Sequence, residues 1–191
     1  YQCDWSSDVC SSDLGDADRC FLIDEKGELV SPSALTALIA VRELKRKPGS
    51  NIIYNLISSK VVPEVVKEHG GIPIRSRVGH SYIKKLMAES GAIFGGEHSG
   101  HFYFSDFWRA DSGMLAALFA LTELGGSKKT LSSLLTPYNR YFASGEINTE
   151  VEDIPSKLQL IRDTYGKDHE IDELDGITIS GRSEEHTSEL Q

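Results

Sequence analysis

Residues 51–96 read NIIYNLISSKVVPEVVKEHGGIPIRSRVGHSYIKKLMAESGAIFGG. Ile52-Ile53-Tyr54-Asn55-Leu56 is a short run of β-branched, aromatic and apolar residues, which predicts a strand. A helix follows through Glu64 to Glu68 and ends at Gly70-Gly71. Ile72-Pro73-Ile74-Arg75 is the next short strand. A second helix runs from about Gly79 to Glu89, with Ile83, Leu86 and Met87 on its buried side and Gly91 closing it. Ala92-Ile93-Phe94-Gly95 completes a β-α-β-α-β alternation. Strands joined through helices pair in parallel and need covering on both faces, so the fold class is α/β: a mixed sheet flanked by helices on both faces.

Upstream, Cys20-Phe21-Leu22-Ile23-Asp24 reads as a strand, and Glu25-Lys26-Gly27-Glu28 as a turn into a second short strand. Ser31-Pro32 opens a helix whose apolar stripe is Leu35, Leu38 and Ile39. Lys45, Arg46 and Lys47 suit its C-terminal end, and Pro48-Gly49 stops it. Downstream, His101-Phe102-Tyr103-Phe104 is the expected hairpin partner of residues 92–95. A helix begins near Asp111-Ser112, is expected to bury Leu115, Leu118 and Leu121, and ends at Gly125-Gly126. Glu146 to Val151 alternates like an edge strand, Ile154 to Tyr165 reads as a helix, and Gly176-Ile177-Thr178-Ile179 starts another strand.

The ends differ from the middle. Ser6-Ser7-Asp8-Val9 is nearly repeated as Ser11-Ser12-Asp13-Leu14, and residues 182–191 are polar without a periodic pattern. Both read as translated adapter sequence, so residues 1–12 and 181–191 are set apart as non-native tails. The net charge of −9 over 191 residues argues against a nucleic-acid partner, which would favour a basic face. No run approaches the ~20 apolar residues that span a membrane. Three cysteines make no disulfide framework, and a reducing cytoplasm is the expected compartment.

Three segments carry candidate chemistry. In Gly15-Asp16-Ala17-Asp18-Arg19, carboxylates at alternate positions of a tight loop can converge on a hard cation such as Mg²⁺, or simply stabilise a surface turn. In Arg75-Ser76-Arg77-Val78-Gly79-His80-Ser81, a strand exit leads into a helix start. Free N–H groups there form an anion site, and His80 is either a proton-exchanging group or a cap. In Gly95-Gly96-Glu97-His98-Ser99-Gly100-His101, glycines flank a charged and hydroxylated core suited to the vicinal hydroxyls of a sugar. His98 and His101 have no third ligand in the loop at a zinc spacing.

In this order, the three motifs resemble those of the α-D-phosphohexomutases, the phosphoglucomutase and phosphomannomutase enzymes, over Gly15 to about Ser180. The resemblance implies a four-domain enzyme that interconverts hexose 1-phosphate and 6-phosphate through a phosphoserine and a bisphosphorylated sugar. It implies that residues 13–47 end the second domain and carry the metal loop. Residues 48–137 would be the third, sugar-recognition domain, and 138–180 part of an α+β fourth domain. It further implies Asp16 and Asp18 as Mg²⁺ ligands and Arg19 beside them at the phosphoserine. His80 would lie near the reacting hydroxyl, Glu97 and Ser99 on sugar hydroxyls, His101 closing the sugar loop, and Lys60 facing the cleft. The partners implied are a mannose or glucose phosphate and further domains of the same polypeptide. Leu14 stands where the family's Asp-Gly-Asp-x-Asp-Arg loop begins with aspartate, and the phosphoserine loop is absent, so this chain alone is expected to be inactive. The alternative reading is a non-catalytic phosphosugar-binding module. A metal-dependent hydrolase ranks last, because no nucleophile or water-activating base accompanies the aspartate loop.

Overall fold

A computed structural model describes residues 10–11, 18–145, 147–167 and 169–181. The chain divides into two compact units, Tyr1–Phe142 and Ala143–Gln191.

The first unit begins with β1 (Cys10–Ser11), paired antiparallel with β2 (Phe21–Leu22). Helix α1 (Pro32–Arg46) follows, then β3 (Asn51–Asn55), α2 (Val61–Glu68), β4 (Ile72–Ser76), α3 (His80–Ser90) and β5 (Phe94–Gly96). The chain then folds back as β6 (Phe102–Phe104) and β7 (Ala110–Asp111) before α4 (Gly113–Gly126) and α5 (Leu131–Leu135). The five-stranded sheet has the order β4-β3-β5-β6-β7. Strands β4, β3 and β5 are parallel, as expected from the helical crossovers, and the β6 and β7 pairings are antiparallel.

Strand parity sorts the core. Ile52, Phe94, Phe102 and Phe104 point to one face and pack with α1, α4 and α5. Ile53 and Tyr103 point to the other, against Ile83 and Met87 of α3. Helix α1 also holds α2 through Ala37, Val41, Val61, Val62 and Val65. It is buried well beyond its Leu35, Leu38 and Ile39 stripe, because it is wedged between the sheet and three helices. The proposed domain division at residues 47/48 therefore falls inside one packed unit. The later division, at 138, falls before Tyr138, which packs on the first unit's core, and before Arg140, which forks onto Glu68 at 2.6 and 2.7 Å.

Two sequence expectations are corrected. Helix α4 buries Gly113, Ala116 and Ala120, whereas Leu118 and Leu121 remain 52% and 45% exposed and Leu115 is only partly covered. The reason is close approach: α4 packs on α1, its Ala116 and Ala120 sharing the core with Leu35 and Leu38, and Gly113 lies against the Arg19 backbone, where a larger side chain would clash. Residues 147–151 form no strand. The second unit instead holds α6 (Ile154–Tyr165) and an antiparallel pair, β8 (Glu170–Asp172) and β9 (Thr178–Ser180). No helix among the described residues is long and apolar enough to cross a membrane.

Candidate functional site

Parallel strands β3 and β5 end at the same edge of the sheet, and the loops leaving those ends build the site. Strand β3 ends in Asn55, β5 runs directly into Glu97, and α3 starts at His80 after the left-handed Gly79. Strand β6 begins just beyond His101, and β7 aligns Asp111 opposite Tyr103. Helix α1 passes beneath this edge so closely that a Cβ on Gly96 would lie 2.4 Å from Thr36 Oγ1, which explains the second glycine of the loop.

Glu97 is buried at 1% exposure, and several donors converge on it. The Tyr103 hydroxyl donates to Oε2 at 2.7 Å, and the Gly79 N–H donates to Oε1 at 3.2 Å. Asn55 Nδ2 approaches Oε1 at 3.4 Å. Asn55 is itself fixed by Ser58, whose hydroxyl donates to its Oδ1 at 2.7 Å. The carboxylate expected on sugar hydroxyls is thus satisfied from within the protein, so a sugar would have to exchange with one of these donors.

His101 joins the sugar loop to the aspartate loop. Its Nε2 lies 3.2 Å from Asp18 Oδ2, and its Nδ1 lies 3.1 Å from Ser99 Oγ. Burial, and the neighbouring His80, hold its imidazole below the ordinary histidine pKa, so it is neutral near pH 7. With Nε2–H donated to Asp18, Nδ1 accepts the Ser99 hydroxyl proton. The backbones are joined as well: Arg19 bridges His101 antiparallel, and the Cys20 N–H donates to the Gly100 carbonyl at 2.9 Å.

His80 stacks edge-on to His101 with ring centroids 4.3 Å apart. Its Nδ1 lies 3.0 Å from the Tyr103 hydroxyl and 3.5 Å from Asp111 Oδ2. Burial raises the Asp111 pKa, but the hydrogen bond from Lys84, 2.9 Å away, a backbone hydrogen bond and the neighbouring charges of Lys84 and His80 together outweigh it and leave the group below the usual carboxylate value. Burial and the bond to Glu97 push the Tyr103 phenol far above its ordinary value, so it stays protonated.

Of the residues singled out from sequence, the structure brings together Asp18, Arg19, His80, Glu97, Ser99 and His101. Lys60 stands apart, exposed at the start of α2; its loop reaches the sugar loop through Ser33, whose Oγ meets the Ser59 N–H at 3.0 Å and His98 Nδ1 at 2.9 Å. Asp16 and Leu14 lie outside the described residues. Among the described residues Asp18 Oδ1 is buried without a hydrogen-bond partner, the kind of orphaned oxygen that a cation satisfies, so the described part of the loop fits Mg²⁺. His80, Glu97 and His101 also come close enough to hold a metal, the third ligand arriving from a distant segment. However, the Tyr103 hydroxyl already bonds both His80 Nδ1 and Glu97 Oε2. Sequence reading missed Tyr103, Asn55, Lys84 and Asp111. A polar residue ending an apolar strand was the available signal for Asn55.

A separate groove of about 770 Å³ has Ile93, Phe104, Phe107 and Phe119 among its lining residues, and its rim cations Arg42 and Arg46 are paired with Glu123 and with Glu43 and Asp106. None of the candidate residues lines it.

Comparison with known proteins places this arrangement. The family model described as phosphoglucomutase/phosphomannomutase, alpha/beta/alpha domain III, matches residues 31–141. The chain is 44% identical over 165 residues to a phosphomannomutase of Methanocaldococcus jannaschii, covering 86% of this chain and 36% of the relative. It is 36% identical over 168 residues to a phosphomannomutase of Escherichia coli K12, covering 87% and 37%. A crystal structure of a phosphoglucomutase/phosphomannomutase family protein from Burkholderia thailandensis superposes with a TM-score of 0.67 at 28% identity, covering 86% of this chain and 35% of that one. The chain therefore spans little more than a third of the length of these relatives. A mixed sheet flanked by helices, the ordered loops at one sheet edge and these matches agree, and the chain belongs to the phosphoglucomutase/phosphomannomutase family.

Proposed function

We propose that this chain is the sugar-recognition part of a cytoplasmic phosphohexomutase that interconverts hexose 1-phosphate and 6-phosphate through a phosphoserine and a bisphosphorylated sugar. The observation that carries the reading is the convergence of Asp18, His101, Glu97 and His80, drawn from three separated loops, at one edge of the sheet. In this reading residues 13–47 carry the metal loop, and the second compact unit begins a fourth domain. Asp16 and Asp18 hold Mg²⁺, which when bound supplies positive charge to phosphoryl oxygens. Arg19 lies at the phosphoserine, Glu97 and Ser99 orient sugar hydroxyls, and His101 holds Ser99 in place. His80 exchanges a proton with the reacting hydroxyl, and Lys60 offers a cation to the phosphosugar. The serine nucleophile and a phosphate-gripping loop belong to the rest of the polypeptide. Alone, the chain has no turnover and binds phosphosugar weakly.

The test is to restore the upstream half with Leu14→Asp and assay conversion of glucose 1-phosphate and mannose 1-phosphate to the 6-phosphates. Absence of activity toward both in the folded, completed protein overturns the mutase reading. Tight binding of glucose 1-phosphate by the isolated chain in titration calorimetry favours the alternative, a phosphosugar-binding module.

A further inference from the structure

Among the described residues the Tyr103 hydroxyl is the one group that touches both His80 and Glu97 by hydrogen bonds, and it is fully buried on β6. It has a single proton and two lone pairs. Glu97 takes that proton, because its carboxylate also faces the Gly79 N–H and the Asn55 amide and is therefore the acceptor on both oxygens. What the hydroxyl then presents to His80 Nδ1, 3.0 Å away, is a lone pair. A neutral imidazole has one N–H and one acceptor nitrogen, so the bond forms only when the hydrogen sits on Nδ1. Asp111 Oδ2, at 3.5 Å from the same nitrogen, is a second acceptor and favours the same placement, although at that length it contributes little. Among the described residues Nε2 has no hydrogen-bond partner, and the His80 side chain is 48% exposed.

We infer that Tyr103 is a positioning residue that holds His80 in the Nδ1–H tautomer and leaves Nε2 as its basic nitrogen. In water an unconstrained histidine prefers the opposite tautomer, so the preference is imposed by the fold. The chain of command runs from Glu97, which orients the Tyr103 proton, through Tyr103 to His80, and so links the sugar-loop carboxylate to the protonation of a residue at the start of α3. The inference deepens the proposed mutase reading, since an unprotonated Nε2 can accept the proton of a sugar hydroxyl. The tautomer itself is measurable without turnover.

The experiment is long-range ¹H–¹⁵N correlation of the imidazoles in the ¹⁵N-labelled chain at about pH 8, where histidines are neutral. His80 is expected to show a protonated Nδ1 and a pyridine-type Nε2. Tyr103→Phe keeps the ring and removes the acceptor, and the tautomer ratio should move toward Nε2–H by roughly fivefold or more, the loss of one ordinary hydrogen bond. Asp111→Asn should leave His80 mainly Nδ1–H. A wild-type His80 that is mainly Nε2–H overturns the inference, and so does an unchanged ratio in folded Tyr103→Phe. Loss of the Nδ1–H form in Asp111→Asn alone assigns the role to Asp111 and also overturns it. If Tyr103→Phe does not fold, the wild-type tautomer and the Asp111→Asn result decide the matter. A completed protein that shows these tautomers but no mutase activity sinks the mutase reading and leaves this one standing.

Discussion

Substituting Gly113 by alanine should separate the aspartate loop from the sugar loop. Gly113 is the first residue of α4, behind Ser112, whose side chain caps the helix by accepting the Leu115 N–H at 3.2 Å. On helix propensity alone the substitution is favourable, by up to ~1 kcal/mol. The added Cβ would lie 2.2 Å from the Arg19 carbonyl oxygen, 2.5 Å from its carbon and 3.1 Å from the Asp18 oxygen, all backbone atoms without a rotamer to yield. Overpacking of this kind costs about 1–3 kcal/mol. Relief by moving the strand outward strains the Arg19–His101 bridge and the hydrogen bond from Cys20 to Gly100, worth about 1 kcal/mol each. A net destabilisation of roughly 2–3 kcal/mol is expected. Gly125, in the same helix with nothing within 4 Å of an added Cβ, supplies the control: alanine there should be neutral or stabilise by up to ~1 kcal/mol. Urea unfolding followed by circular dichroism compares the two variants. Thiol labelling read by peptide mass mapping reports whether Cys20, fully buried beside Arg19, becomes reactive in Gly113→Ala. Equal stability of the two variants, or a Cys20 that stays protected, refutes the reasoning.

Three further outcomes are expected. Glu97→Gln replaces one acceptor oxygen with a donor amide amid three converging donors, and should lower stability by about 1–3 kcal/mol in the same urea assay; an unchanged midpoint would show that the donors do not depend on the charge. Because burial holds the His101 pKa below its unfolded value, the unfolded chain binds the extra proton as pH falls through about 6.5. With EDTA present, stability should therefore be full above that value and decline below it, and His101→Gln should flatten that slope; a slope identical to wild type would remove His101 as its source. Gly96→Ala drives a Cβ onto Thr36 of α1, a β-branched side chain that is itself buried, and should destabilise by about 1–3 kcal/mol. The double variant with Thr36→Ser should recover part of that loss, and no recovery would place the clash elsewhere.

The alternation of strand and helix over residues 51–96 was legible because each element carries its own period and its own stop residue. Glu97, Ser99 and His101 were legible because glycines bracket them, and His80 because it follows one at a helix start. Tyr103 was hidden in Phe102-Tyr103-Phe104, an evenly aromatic strand. Its alternate side chain faces α3 while the two phenyl rings face α1, and only the assembled sheet tells which face carries the site. Asp111 read as the start of a helix; it is the last residue of β7, and the cap is Ser112. The leucines of α4 misled because apolar periodicity reports which residues prefer burial and not which face a neighbour reaches. Ala116 and Ala120 share the core with Leu35 and Leu38 of α1, and Gly113 lies against the backbone of Arg19, because small side chains admit the closest approach.

The antiparallel bridge between Arg19 and His101 also sets an order of events during folding. It joins positions about 80 residues apart, so its loop-closure entropy falls due only after β3, β5 and β6 have supplied a surface to dock on. The backbone of Arg19, beside Asp18, can make this pairing only once the sugar loop exists. Ordering of the carboxylate loop thus becomes a late step, slaved to completion of the sheet, and its amides should gain hydrogen-exchange protection after those of Ile53 and Phe94 when the chain refolds.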